Sequence, residues 1–168
     1  MKYLFKTIIL SFLVSSGALA QRPAATIPDF DFYKLDNRPF TKKDLAASKM
    51  LLFVFFDVTC DHCHRAIQQF NNRHTELKNT AVYLISLDTK PAITNFLNTN
   101  AKNLIAMKNV IILQDLKNQF ITRFQPRKYP SVFLYSAQKK LIMYDDEEKN
   151  VPKFLQKINI TTRKQKSV

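Results

Sequence analysis

The chain has 168 residues, and its only glycine is Gly17. Without further glycines the chain contains no glycine-rich phosphate loop and no dinucleotide-binding motif, which argues against nucleotide chemistry. The formal charge of +13 is spread along the whole chain, and only the tail at residues 163–166 is densely basic. This distribution argues against nucleic-acid binding and favours a basic surface that attracts acidic partners or anionic membranes.

Residues 1–20 have the features of a secretory signal. Two lysines precede an apolar stretch at residues 7–14, and the small residues Ala18 and Ala20 suit cleavage after position 20. The apolar stretch is shorter than the roughly 18 residues of a membrane span. We therefore predict no stable membrane span and a mature chain that begins at Gln21, carries a formal charge of +11 and is located in the periplasm or another extracytoplasmic space.

The mature chain is long enough for one domain, predicted over residues 21–160, followed by a basic flexible tail at residues 161–168. Its first elements are a hairpin, indicated by alternating apolar residues around Phe30 and Phe40, and a short helix. Thr41 and Asp44 form a capping-box pattern at the start of that helix.

A strand at Met50–Phe56 is predicted next, buried on both faces because it is apolar throughout. The only cysteines, Cys60 and Cys63, follow where the strand pattern changes into a helical one. The helical pattern continues with apolar-face positions at Ile67, Phe70, His74 and Leu77. The two cysteines are therefore predicted to lie at the N-terminus of a helix.

A helix N-terminus stabilises a thiolate, because its first N–H groups are unpaired and the helix dipole is positive there. Cys60, nearer the helix start, is the candidate nucleophile, and Cys63 would resolve the mixed disulfide. A purely structural disulfide is the alternative, but a loop of two intervening residues removes little chain entropy from the unfolded state.

The remaining elements follow from apolar periodicity, flanking turn residues and the position of proline. They are a strand at Ala81–Leu87, a helix at Pro91–Leu97, an asparagine-rich stretch with Leu104 and Met107 as core residues, a strand at Val110–Leu113, a helical run with Leu116, Phe120, Ile121 and Phe124, strands at Ser131–Tyr135 and Leu141–Tyr144, and a helix at Val151–Ile158. This order predicts an α/β fold with parallel strands wherever a helix intervenes and an antiparallel pair at the end.

Over residues 27–158 the chain resembles the thioredoxin-like superfamily, and within it the exported TlpA-like and AhpC/TSA-type redoxins. The resemblance lies in the C-x-x-C motif that follows a strand and opens a helix, in Pro130 ahead of a core strand, in the N-terminal hairpin and in the inserted helix. It implies a central mixed sheet flanked by helices and a cis-proline at Pro130, with Tyr129 and Pro130 lining the substrate groove. The activity implied is thiol-disulfide exchange with protein thiols or disulfides and an upstream redox donor, without an organic cofactor or a metal.

The chain departs from the family at two positions beside the motif. Thr59 stands where tryptophan is common, and Val54 stands where thioredoxin has a buried acid, so water or Asp57 is left as proton acceptor for Cys63. The eight residues that end at Cys60 contain no proline and do not match the P-x-x-x-T-x-x-C pattern of peroxiredoxins, which argues against peroxidase activity.

The dipeptide Asp61-His62 between the cysteines leaves the redox direction open. A partly cationic His62 resembles the C-P-H-C motif of the oxidant DsbA and would favour the reduced form, whereas the negative charge of Asp61 acts in the opposite direction.

Two alternatives use the same cysteines. Cys60, Cys63 and His64 also match the C-x-x-C-H pattern of a c-type haem electron carrier, with His64 as axial ligand. A metal site formed with His62, His64 or His74 would resemble copper-handling thioredoxin-like proteins.

Overall fold

The computed structural model describes residues 22–166, and their side chains as far as residue 163. The signal sequence predicted for residues 1–20 lies outside the described residues. The strands are β1 (Asp31–Lys34), β2 (Pro39–Thr41), β3 (Met50–Phe55), β4 (Thr80–Ser86), β5 (Val110–Gln114), β6 (Ser131–Tyr135) and β7 (Leu141–Asp145). The α-helices are α1 (Asp61–Asn72), α2 (Lys90–Asn100), α3 (Lys102–Ile105) and α4 (Val151–Lys166), with short 3-10 or π-helical turns at Lys42–Asp44, His74–Leu77, Phe120–Phe124 and Glu148–Asn150.

The seven strands form one mixed sheet in the order β2-β1-β5-β4-β3-β6-β7. Strands β3, β4 and β5 are parallel, and helices connect them, as predicted. The β1–β2 hairpin lies at one end of the sheet and the antiparallel pair β6–β7 at the other. The predicted α/β class, the mixed sheet and the N-terminal hairpin are confirmed.

One strand pairing differs from the prediction. A helical segment separates β5 from β6, yet β6 does not pair with β5 and instead runs antiparallel to β3. Both edges of β5 are occupied, one by β4 and the other by β1, so β6 can pair only at the open edge of β3. The general expectation of a parallel pair after each helix was therefore wrong at this connection.

The double-sided burial predicted for the central strand is confirmed, because every residue of β3 is buried. Alternating side chains point to opposite faces of a strand and here enter two separate cores. Leu52 and Val54 pack with α1, α2 and α4 on one face, whereas Phe53 and Phe55 enter an aromatic core on the other face. Burial on both faces fixes the position of β3 within the sheet.

The aromatic core joins the hairpin to the segment after β5. The rings of Phe120 and Phe124 stack with centroids 4.3 Å apart, and Phe124 also contacts Phe30 and Phe53. The helical run predicted around these residues is a single π-helical turn, and Leu116 and Ile121 are exposed.

Two helix ends differ from the predictions. Helix α1 ends at Asn72, and residues 74–77 form a separate 3-10 turn in which His74 is half-buried. Helix α4 continues past the predicted end at Ile158 to Lys166, into the segment predicted as a tail.

The predicted capping box at Thr41 and Asp44 is present. Among residues 22–166 no helix combines the length and apolar character needed to cross a membrane.

Candidate functional site

The loop after β3 places Cys60 at the N-cap of helix α1. The Cys60 carbonyl accepts hydrogen bonds from the backbone N–H groups of Cys63 and His64, at 2.9 and 3.1 Å. The Cys60 Sγ accepts a further bond from the Cys63 N–H at 3.3 Å. A sulfur at this position lies among the unpaired N–H groups and the positive dipole of the first turn, where negative charge is stabilised.

The two free thiols have different surroundings. Cys60 is half-buried, whereas the side chain of Cys63 packs in the core between β3 and the helices. Burial raises the pKa of the Cys63 thiol far above its ordinary value, and the hydrogen bond with Cys60 and the charge of Asp57 raise it further. Cys63 therefore stays protonated at neutral pH unless a base removes its proton.

Asp57 lies beside both cysteines. Its Oδ1 accepts hydrogen bonds from the backbone N–H and the hydroxyl of Thr59, at 2.7 and 2.6 Å, and its backbone carbonyl accepts the Cys60 N–H at 3.3 Å. The charge of Asp57 contributes to the raised pKa values of both Cys63 and Tyr129.

Asp88, which no sequence motif indicated, supports the same loop from the neighbouring strand. Its Oδ2 accepts the Val58 N–H at 3.0 Å and the Ser86 hydroxyl at 2.7 Å. Asp88 follows β4 just as the cysteine loop follows β3, and parallel strands bring such residues to one edge of the sheet. This shared edge is the signal that could have identified it.

The segment ahead of β6 carries Tyr129 and Pro130. The Tyr129–Pro130 peptide bond is cis, Pro130 is buried, and the Tyr129 ring lies 4.7 Å from the ring of Phe55. Burial raises the pKa of Tyr129 to about 12, with additional contributions from the charges of Asp57 and Asp88. The Tyr129 hydroxyl is therefore neutral at physiological pH.

His62 is exposed, and its Nδ1 has two neighbours. Nδ1 lies 2.9 Å from Glu148 Oε2 and 2.8 Å from Arg65 Nη2, and Arg65 Nε also lies 3.2 Å from Glu148 Oε1. A protonated Nδ1 can donate to Glu148, whereas only a deprotonated Nδ1 can accept from Arg65. The pKa of Glu148 is lowered even though burial acts to raise it, because its own backbone N–H, His62 and Arg65 stabilise the carboxylate. Asp61 is exposed at the first position of α1.

The histidines assigned to the haem and metal alternatives have other contacts. His64 Nε2 lies 3.0 Å from the Val58 carbonyl, and its ring packs edge-on against Phe96 at 4.6 Å. As an axial haem ligand through Nε2, His64 would have to break the first contact. His74 Nδ1 contacts the Asn71 carbonyl at 2.8 Å. Within the described part of the chain no three His, Cys, Asp or Glu side chains form a group that could hold a metal ion.

Comparison with known proteins gives one family and many similar folds. The model of the AhpC/TSA family matches residues 23–144, whereas no curated protein sequence matches the chain.

Three solved structures illustrate the similarity of fold. The peroxidoxin BcpB from Mycobacterium tuberculosis is 12% identical with a TM-score of 0.67, and the alignment covers 84% of this chain and 97% of that one. A thiol-disulfide oxidoreductase from Bacteroides fragilis is 18% identical with a TM-score of 0.63, covering 79% and 98%. A secreted disulfide oxidoreductase from M. tuberculosis, homologous to DsbE of E. coli, is 16% identical with a TM-score of 0.61, covering 76% and 94%. At these identities the similarity establishes the thioredoxin-like fold alone.

The difference in burial predicts unequal alkylation of the two thiols. In the reduced native protein at about pH 7.5, iodoacetamide should modify Cys60 at least about tenfold faster than Cys63, because each unit by which a pKa is raised lowers the thiolate fraction about tenfold. Peptide mass spectrometry over time would measure both rates. In guanidinium the rates should become similar, and a faster Cys63 in the native protein would contradict the assignment.

Proposed function

The chain belongs to the AhpC/TSA family, and from that premise we propose that it is an exported thiol-disulfide oxidoreductase whose Cys60/Cys63 couple exchanges electrons with protein partners. The observation that carries the proposal is the half-buried Cys60 at the N-cap of α1 with the fully buried Cys63 one turn behind it. The first position suits an attacking thiolate, and the second suits a thiol that reacts only within the protein.

The exchange proceeds through one mixed disulfide. The Cys60 thiolate attacks a disulfide of the partner, so that a Cys60–partner disulfide forms and one partner thiolate leaves. Cys63 then loses its proton and attacks Cys60 Sγ, which releases the second partner thiolate and closes the Cys60–Cys63 disulfide. Two electrons pass to the partner, and an upstream redox donor restores the dithiol. The reverse sequence oxidises a partner dithiol.

Asp57 is the proposed proton acceptor for Cys63. Cys63 needs a base because burial raises its pKa, and the Asp57 carboxylate is close enough for its charge to act on that thiol. The hydrogen bonds from Thr59 hold Asp57 Oδ1 in place and leave its second oxygen to take the proton. This geometry favours Asp57 over bulk water, which has no direct access to the buried Cys63.

Tyr129 and Pro130 form the proposed substrate groove. A cavity of about 140 Å³ adjoins Tyr129, with Phe55 and the exposed Ile121 as apolar walls and Arg127 among its lining residues. Arg127 is paired with Asp146 at 2.8 Å, so the groove presents mainly apolar surface to a partner chain.

His62 is proposed to tune the redox potential and Asp61 to oppose it. A cationic imidazole in the first turn would favour the thiolate over the disulfide, and His62 Nδ1 lies 2.9 Å from Glu148 Oε2. This contact joins the Asp61-His62 dipeptide between the cysteines to the 3-10 turn at Glu148–Asn150, which precedes α4.

Peroxide reduction is a second candidate, favoured by the fold of two neighbours. Those structures are the peroxidoxin BcpB and a bacterioferritin comigratory protein of Xanthomonas campestris studied for alkyl peroxide reduction. The absence of proline among the eight residues that end at Cys60 argues against this activity.

Trapping of partner proteins tests the main proposal. Cys63→Ser, expressed from the full-length gene in the source cell, should accumulate disulfide-linked complexes, because Cys63 can no longer release the partner. Cys60→Ser should accumulate none and serves as the matched control. Diagonal electrophoresis and mass spectrometry would identify the complexes, and the mass of the trapped chain should correspond to a start at Gln21.

Three results would contradict this proposal. They are equal trapping by both variants, a trapped chain that retains its first 20 residues, and consumption of hydrogen peroxide with a rate constant above that for exchange with a disulfide-containing protein.

Removal of the Asp57 carboxylate should slow the second step only. In Asp57→Asn, release of a preformed mixed disulfide at about pH 7 should be at least tenfold slower, whereas attack by Cys60 should change little. The defect should shrink as the pH rises, because hydroxide then deprotonates Cys63. Stopped-flow fluorescence would measure both steps. Thr59→Val keeps the carboxylate but removes one of the two hydrogen bonds that position it, so it should slow the release less than Asp57→Asn does. An unimpaired Asp57→Asn would show that water accepts the proton of Cys63.

Replacement of His62 tests its influence on the potential. If the imidazole favours the reduced form by about 1.4 kcal/mol, His62→Gln should lower the two-electron midpoint potential by about 30 mV. Equilibration with glutathione buffers would measure it, and Lys149→Gln, next to Glu148, provides a control for a change of surface charge. An unchanged potential would show that His62 does not influence it. A higher potential would show that Asp61 or the backbone sets the potential instead.

A further inference from the structure

The edge of the sheet opposite the cysteines carries three lysines. Lys49 directly precedes β3, and Lys78 and Lys108 lie two residues before β4 and β5. Because these strands are adjacent and parallel, their first residues meet at the same edge. The length of β3 separates this edge from Cys60 by roughly 20 Å.

The three lysines surround a single cavity of about 390 Å³, here called the lysine cavity. Its wall contains Ala46, Ala81, Tyr83 and Ile111. The volume falls in the range of about 300–1,000 Å³ that small-molecule sites occupy. The cavity is therefore large enough for more than a simple inorganic ion.

The charge in the lysine cavity is unbalanced. None of the ammonium groups of Lys49, Lys78 and Lys108 forms an ion pair or hydrogen bond with the residues that the structure describes. The one carboxylate in the wall is Asp44, which accepts the N–H and hydroxyl of Thr41 at 2.7 and 2.8 Å and keeps its negative charge, so three ammonium groups face a single carboxylate. Three like charges around one cavity repel one another, and a bound anion would offset this repulsion.

A buried hydroxyl supplies an independent observation. Tyr83 is 1% exposed and lines the lysine cavity, and its hydroxyl oxygen accepts the Ala46 N–H at 2.9 Å. The bond from Ala46 uses the hydroxyl oxygen as acceptor, so the hydroxyl hydrogen can donate to a ligand in the lysine cavity. Burial raises the pKa of Tyr83, so the group stays neutral and can donate.

We propose that the lysine cavity binds a phosphate-bearing ligand. The phosphate oxygens accept hydrogen bonds from the Tyr83 hydroxyl and lie between the ammonium groups of Lys49, Lys78 and Lys108. The organic part of the ligand packs against Ala81 and Ile111. A soluble phosphate ester and the headgroup of an anionic lipid share this chemistry, and either would place its ligand on the side of the molecule away from Cys60.

Titration with defined probes tests the site. Inorganic phosphate and phenyl phosphate, each added to the ¹⁵N-labelled mature protein, should shift the backbone amide signals of residues 46, 49, 78, 83 and 108–111. Phenyl phosphate should bind more tightly because its ring contacts the apolar wall. Binding should weaken when the ionic strength is raised from about 20 to about 300 mM, since exposed charges are screened. Sedimentation with phosphatidylglycerol vesicles, compared with phosphatidylcholine vesicles, tests the lipid source.

Charge-matched variants separate a specific site from general basicity. Lys49→Gln, Lys78→Gln and Lys108→Gln together should weaken binding by about tenfold or more. Lys102→Gln, Lys153→Gln and Lys157→Gln together remove the same charge from exposed positions outside the lysine cavity and should change binding less than about twofold. Tyr83→Phe removes the hydroxyl donor and should weaken phenyl phosphate binding further.

The possible outcomes identify the source of the ligand or reject the site. Binding of phenyl phosphate but not of vesicles indicates a soluble ester. Selective binding of phosphatidylglycerol vesicles indicates a lipid headgroup, provided that the triple variant of Lys49, Lys78 and Lys108 no longer binds them. Binding of no probe, or equal loss in both triple variants, would overturn the proposal. The disulfide exchange rate of Cys60 and Cys63 should be unchanged in every lysine variant, so this proposal and the proposed redox function can fail independently.

Discussion

Burial of β3 on both faces determines how the elements around it are arranged. A slip of one residue would move Phe53 and Phe55 into the helical core and Leu52 and Val54 into the aromatic core, which differ in shape. The strand therefore has one register, and the chain leaves it at one place on the carboxyl edge of the sheet. Cys60 is the N-cap of α1 because the helix must begin at that edge to cover the core above β3.

The unequal chemistry of the two thiols follows from the same constraint. Helix α1 presents Cys63, Ile67 and Phe70 to the core, so the second sulfur is buried with them while the first remains at the helix end. The acids around the site come from the ends of β3 and β4, and each engages loop N–H groups: Asp57 binds Thr59, and Asp88 binds Val58. These contacts hold the loop in one conformation without a glycine.

The two edges of the sheet differ in charge. The carboxyl edge holds Asp57 and Asp88 in contact with the loop that carries Cys60, whereas the amino edge holds three lysines around one cavity that have no ion pair among the described residues. A formal charge of +13 spread along the chain gives no sign of this separation. The parallel arrangement of β3, β4 and β5 produces it, because it collects the residues before the strands at one edge and those after them at the other.

Features that depend on neighbouring residues could be predicted from the sequence. Apolar periodicity located β3 and the start of α1, and the spacing of Thr41 and Asp44 located the capping box. Features that depend on competition between distant segments could be read only from the folded chain. Strand β6 lies beside β3 because both edges of β5 are occupied, and α1 ends at Asn72, where the side chain of Asn71 accepts N–H groups of residues 103 and 104. The contact of His62 with Glu148 is of the same kind, because pairs so far apart in sequence leave no local pattern and meet only when the whole sheet has formed.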